Sequence, residues 1–273
     1  MTPTRVAIVK GERGRETVER ALTFLGIEES ISRPVAIKVN FITDKTWETG
    51  ATTDPLVVDT LIKFFRPRTE RVVVVESDAT TTNADKAAVK TGILNVCREN
   101  QVEFINLSKT KDRVIVNVEN PETLSSVVLP KIVLESYIVS AAKLKTHGQV
   151  GVTLGMKNMF GLLPEKSKFK YHLRNIQKVI VDINSVIKPD LTVIDGFIAM
   201  EGRGPVNGNP VKMDLIITGK DPVATDAVAA KVMGFDPDLI YHIKRAAERK
   251  IGNMDEIEIV GEKIESVTRR FKR

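Results

Sequence analysis

The segment Val35–Phe65, VAIKVNFITDKTWETGATTDPLVVDTLIKFF, decides the fold. It opens on Val35-Ala36-Ile37-Lys38-Val39, a β-branched run without the polar alternation of a half-solvated strand, so it reads as a strand covered on both faces. It closes on Pro55–Phe65, where apolar residues recur at three- and four-residue spacings behind Asp54, an N-cap, and a proline at the first helical position. A covered strand that hands over to a helix is the repeating unit of a parallel sheet.

The same rhythm continues on both sides. Val6–Val9, Val72–Val75 and Leu191–Ile194 read as further buried strands, and Thr17–Leu25, Ala84–Asn100 and Asp221–Met233 as helices. The stretch from 106 to 133 breaks it: Arg113–Val118 and Val127–Pro130 look like a strand pair around a polar turn at Asn120-Pro121, with Pro130 suited to a strand end. The expected fold is α/β, a mainly parallel or mixed sheet flanked by helices with a small β insertion near residues 106–133. At 273 residues the chain fits one large α/β domain, taken as 1–273.

Composition narrows the classes. Apolar residues make up 42% and charged residues 28%, and no apolar run approaches the ~20 residues of a bilayer span. No signal-peptide pattern follows Met1, so the expected location is cytoplasmic, with no membrane partner. Cys97 is the only cysteine, which excludes an intramolecular disulfide and an iron–sulfur cluster held by this chain alone. The formal charge of +6 favours anionic partners without choosing among them. Few Gln beside abundant Lys, Arg, Glu, Val and Ile lean toward a heat-adapted source. The basic tail Arg269–Arg273 reads as solubilising.

Candidate chemistry follows the strands. In an open parallel sheet the carboxyl ends of the strands line one crevice, so clusters distant in sequence meet there. Lys38 and Asn40 close the first such strand, two residues apart and therefore on one face. A lysine in a buried strand needs a partner, either a ligand anion or a carboxylate such as Asp78. The aperiodic loop Phe41–Asp54 suits a binding loop or a connector. Glu76–Asn83 is a hydroxyl- and carboxylate-rich turn ahead of a helix, fit for an anion or for capping. Lys143 and Lys145 share another strand face, and the glycine-bearing loop 151–161 carries a second Lys-Asn pair, Lys157 and Asn158. Several converging lysines require anionic oxygens between them. No Walker phosphate loop occurs.

His147, beside Lys145, suits acid–base chemistry, and cationic neighbours favour its neutral form. Asp195 and Glu201 offer counter-charge, acid–base capacity or Mg²⁺ ligation; Asp221 reads as a cap, while Asp226 falls inside an apolar helix face. No histidine-based metal site is indicated. Lys166–Lys178, with Phe169 and Tyr171 among its lysines, is either a solvated helix face or a nucleic-acid contact.

With these words in order, Lys38-Val39-Asn40, Thr52–Pro55, Glu76-Ser77-Asp78, Lys143–His147, Leu154–Gly161, Asp190–Gly196 with Glu201–Pro205, and Gly219–Asp226, the chain resembles the domain-of-unknown-function family numbered 362. The resemblance covers most of the chain but implies no reaction. Some members carry ferredoxin-like cysteine motifs; Cys97 alone departs from them, so an iron–sulfur role would need a partner protein. The leading expectation is a protein, enzymatic or not, that binds a small phosphate- or carboxylate-bearing anion. Lys38, Lys143, Lys145 and Lys157 would clamp it, Asn40 and Asn158 orient it, and Asp78 and Asp226 join the site. His147, Asp195 and Glu201 are the catalytic candidates. Nucleic-acid binding through 166–178 and partnership with an iron–sulfur protein are the alternatives.

Overall fold

The computed structural model describes residues 4–273. Its strands are β1 (Thr4–Lys10), β2 (Val35–Lys38), β3 (Val72–Glu76), β4 (Glu103–Asn106), β5 (Arg113–Asn117), β6 (Ser126–Pro130), β7 (Tyr137–His147), β8 (Gly151–Thr153), β9 (Leu191–Glu201), β10 (Asn209–Gly219) and β11 (Ile257–Gly261). Nine of them form one sheet in the order β11-β1-β10-β9-β7-β2-β3-β4, with β8 folded back on β7. The pairs β1·β11, β2·β3, β2·β7, β3·β4 and β7·β9 are parallel, whereas β10 is antiparallel to both its neighbours. Along this path β10 alone runs against the rest. The short connection from Glu201 to Asn209 explains it, because a parallel return needs a crossover of a dozen or more residues.

Strand alternation assigns the two cores. Val35, Ile37 and Val39 pack with helices Arg15–Thr23, Pro55–Phe65 and Ile93–Glu99, and Ala36 packs on the opposite face with helices Ile176–Val186, Pro222–Val232 and Tyr241–Glu248. Helix Pro55–Phe65 starts where expected: the Asp54 carboxylate accepts from the Leu56 N–H. It buries Val57, Val58, Leu61, Ile62 and Phe65, each worth roughly 1.5–3 kcal/mol relative to exposure. The helix expected over Ala84–Asn100 is two, Ala84–Lys90 and Ile93–Glu99, divided at Gly92, whose φ of 84° suits glycine alone. β5 and β6 make a separate antiparallel sheet within the expected insertion. No helix among the described residues is long and apolar enough to cross a membrane.

The winding places the site. From β2 the chain moves outward to β3 and β4, then returns to the other side of β2 for β7 and continues to β9. This reversal parts the connections on either side of β2 and β7 and opens a crevice beyond their carboxyl ends.

Candidate functional site

A cavity of about 140 Å³ occupies that crevice. Lys38 and Asn40 at the end of β2, Lys145 and His147 at the end of β7, and Lys157 and Asn158 after β8 all line it. The structure adds Glu76 and Ser77 from β3 and the turn behind it, Phe160 and Gly161 from the glycine loop, and Lys168 and His172 from the basic segment.

Polar contacts fix this wall in layers. Lys38 Nζ lies 2.8 Å from Glu76 Oε1 and donates to the Val39 carbonyl at 2.7 Å, so its carboxylate partner is Glu76 rather than Asp78. Glu76 also accepts from the N–H groups of Phe41 and Ser77, both at 2.9 Å. Asn158 bridges the two central strands: its amide donates to the Lys38 carbonyl and to Ser140 Oγ, and its oxygen accepts from Asn40. Lys145 Nζ donates to Asn40 Oδ1 at 2.8 Å and to the Ala51 carbonyl. Lys168 Nζ donates to Ser77 Oγ at 2.6 Å, and that hydroxyl donates to the Gly161 carbonyl. A Cβ on Gly161 would sit 2.7 Å from Glu76 Oε1 and closer still to Lys38 Nζ, so the close approach of the loop requires glycine there.

Charge is left over once these contacts are made. Glu76 answers Lys38, but among the described residues Lys145, Lys157 and Lys168 have no carboxylate within 4.0 Å. Lys157 is half-buried, its Nζ makes no hydrogen bond among the described residues, and it rests 4.3 Å from the Phe160 ring centroid. Burial, with Lys168 and Lys38 close by, pushes its ammonium down to about 7. Lys168 is pushed down to about 8 by burial, against the pull of Glu76. Burial, reinforced by Lys143 and Lys157, also holds Lys145 well below the usual lysine range. His147, lowered to about 3 by burial and by Lys157 and Lys145, is neutral at physiological pH and so acts as a hydrogen-bonding group, not a cation.

The remaining residues singled out from the sequence lie apart from the cavity lining. Lys143 and Asp195 are wholly buried and pair at 2.7 Å, and Asp195 also accepts from the N–H groups of Asp54 and Phe197. Asp226, in helix Pro222–Val232, accepts from the N–H groups of Gly155 and Met156 and so pins the loop that carries Lys157 and Asn158. Burial raises its carboxyl to about 7. Asp78 accepts from the Ala84 N–H and from the Asn83 and Asn106 amides, which is capping of the turn. Glu201 accepts from the Lys272 N–H. Among the described residues no group of three or more His, Cys, Asp or Glu is placed to hold a metal ion. Asp195 and Glu201 spend their oxygens on separate partners.

The basic segment is not one helix. It contains the short turn Phe169–His172 and then helix Ile176–Val186, separated by Asn175 at a φ of 59°. Lys166, Lys170 and Arg174 are exposed, whereas Lys168 turns inward to the cavity. Lys168 is not assigned to the cavity from sequence, and Glu76 enters there only as the start of a turn fit for an anion or for capping. The one signal available for Lys168 was its place between two hydroxyl- and aromatic-bearing segments, which does not distinguish it from its solvated neighbours.

Known proteins add little chemistry. A family model described as Domain of unknown function matches residues 35–231. A curated relative, Thylakoid-associated protein sll1697 of Synechocystis, is 33% identical over 121 residues, which cover 42% of this chain and 37% of that protein. The chain thus spans well under half of that relative's length in the match. No solved structure matches. All the strands and loops that build the cavity, from Lys38 to Lys168, fall inside residues 35–231, and the chain belongs to the family described as Domain of unknown function (DUF362).

Proposed function

We propose that the cavity binds a small anion bearing a phosphate or carboxylate group. The observation that carries this reading is the excess of positive charge: Lys145, Lys157 and Lys168 line one cavity, none with a carboxylate within 4.0 Å among the described residues, and the cavity's Glu76 is paired with Lys38. Ammonium groups held together in a partly dry site repel one another, and anionic oxygens between them relieve that cost. The volume of about 140 Å³ suits a compact ligand, well below the roughly 300–1,000 Å³ of pockets for drug-sized molecules. Asn40 and Asn158 hold the lysine stems in register, and His147 offers a neutral ring to the ligand. Titration calorimetry with inorganic phosphate tests the reading. Wild type should bind, and Lys145→Met and Lys168→Met should each lose at least about tenfold in affinity while retaining cooperative unfolding. Unchanged affinity in both variants would discard it.

A second reading has its own observation. Phe169 is 62% exposed beside exposed Lys166, Lys170 and Arg174, an arrangement that suits stacking on an unpaired base with phosphate contacts around it. Affinity for a single-stranded oligonucleotide would then fall steeply with log[salt], while phosphate binding in the cavity would depend on salt only weakly.

A further inference from the structure

The lysines of the cavity are not equivalent. Lys38 is neutralised by Glu76 and further tied to the Val39 carbonyl. Lys145 is wholly buried and directs its protons at Asn40 and the Ala51 carbonyl. Lys168 is committed to Ser77. Lys157 is different: the residue lines the cavity and is half-buried, and its Nζ has no hydrogen-bond acceptor among the described residues and lies over the Phe160 ring. An amine desolvated in this way beside other cations is the environment that activates a lysine as a nucleophile toward carbonyl carbon.

We propose that Lys157 forms a Schiff base with a small 2-oxo acid whose carboxylate is held by Lys145 and Lys168. This deepens the anion-binding reading and rests on it. The carboxylate supplies the missing negative charge, and the adjacent keto carbon is presented to the one cavity lysine whose Nζ has no hydrogen-bond acceptor among the described residues. In the reaction, the Nζ lone pair of neutral Lys157 attacks the keto carbon and forms a C–N bond. The nitrogen gives up both its protons to the former carbonyl oxygen, the C–O bond breaks, and one water leaves, so that no oxidant or reductant is consumed. The lowered proton affinity of Lys157 provides the neutral amine near pH 7. The titratable groups around it are Lys38 from β2, Glu76 from β3, Lys145 and His147 from β7, Lys168 and His172 from the segment after the glycine loop, and His242 from helix Tyr241–Glu248.

The test traps the imine. The full chain is incubated with pyruvate and cyanoborohydride, and the products are read by intact mass and peptide mapping. One adduct per chain is expected, mapped to Lys157, absent from Lys157→Arg, and slowed at least about fivefold by excess inorganic phosphate. For an amine that titrates near 7, the labelling rate should rise roughly tenfold from pH 6 to pH 8 and then level off; an ordinary lysine gains about a hundredfold and keeps climbing. Labelling scattered over exposed lysines, or equal labelling of Lys157→Arg, overturns the proposal. Phosphate calorimetry on the same wild-type sample separates the two levels. Phosphate binding without a Lys157 adduct refutes the Schiff base and leaves the anion site standing, whereas absence of both removes the anion site as well.

Discussion

Replacing Lys143 by methionine separates framework lysines from those of the proposed anion site. The side chain is wholly buried, its Nζ is 2.7 Å from Asp195 Oδ2, and it does not line the cavity. Methionine keeps most of the volume but strips Asp195 of its counter-ion. Removing one member of a buried pair costs roughly 3–5 kcal/mol, and the N–H groups of Asp54 and Phe197 that remain on Asp195 place the expected loss near the lower end, about 3 kcal/mol. Asp54, itself held above the ordinary carboxylate range by burial, is a neighbouring carboxylate that makes the exposed negative charge harder to tolerate. Urea unfolding at pH 7 should therefore show a lower midpoint at unchanged slope. The double variant K143M/D195N, which removes both charges but keeps an acceptor for the buried Asp54 and Phe197 N–H groups, should recover at least half the loss. Phosphate affinity in folded K143M should change less than about threefold. A variant as stable as wild type that has lost phosphate binding would refute the assignment of Lys143 to the framework.

Other outcomes follow from the same contacts. Gly161→Ala should abolish phosphate binding or cost about 2 kcal/mol or more in urea unfolding, because its Cβ meets the Lys38–Glu76 pair; a variant equal to wild type in both would show that the loop yields freely. Asp226→Ala frees the N–H groups of Gly155 and Met156, and should weaken phosphate binding at least about tenfold, as read by calorimetry on the folded fraction. Phosphate affinity itself should fall as pH rises from 7 to 9, since Lys157 and Lys168 lose their protons near 7 and 8; a flat profile counts against both. His242 is wholly buried, neither ring nitrogen has a partner among the described residues, and burial lowers it to about 3. The unfolded chain takes up a proton below about 6.5 that the folded chain refuses, so stability drops as pH falls through that window, by at most ~1.4 kcal/mol per pH unit. His242→Leu should remove that part of the slope; an unchanged slope from pH 6.5 to 5 would show that the imidazole is solvated.

The strands were legible because their β-branched runs are buried on both faces, and the Asp-Pro starts marked helices Pro55–Phe65 and Pro222–Val232 to within a residue. The reversed direction of β10 was not, since Leu215–Gly219 is as apolar as any parallel strand and direction depends on the length of the turn before it. Lys143 and Lys145 show a sharper limit. Two residues apart on one strand face, they are indistinguishable as text, yet one meets a carboxylate and the other reaches the crevice, because depth along the strand decides. The choice between Glu76 and Asp78 turned on the same quantity, since Glu76 ends β3 and Asp78 already belongs to the turn.

The hold of Asp226 on Gly155 and Met156 also orders events at the ribosome. The two ends of that contact are 71 residues apart, so at roughly 5–20 residues per second the glycine loop waits about 4–14 s for its anchor to be made. Chains stalled short of Asp226 should therefore emerge with β2, β3 and β7 available but Lys157 and Asn158 unplaced, and should fail to retain phosphate. The emerging chain thus has no finished lysine-lined cavity until helix Pro222–Val232 exists to close it, which keeps a cluster of lysines from assembling before the acid that positions it.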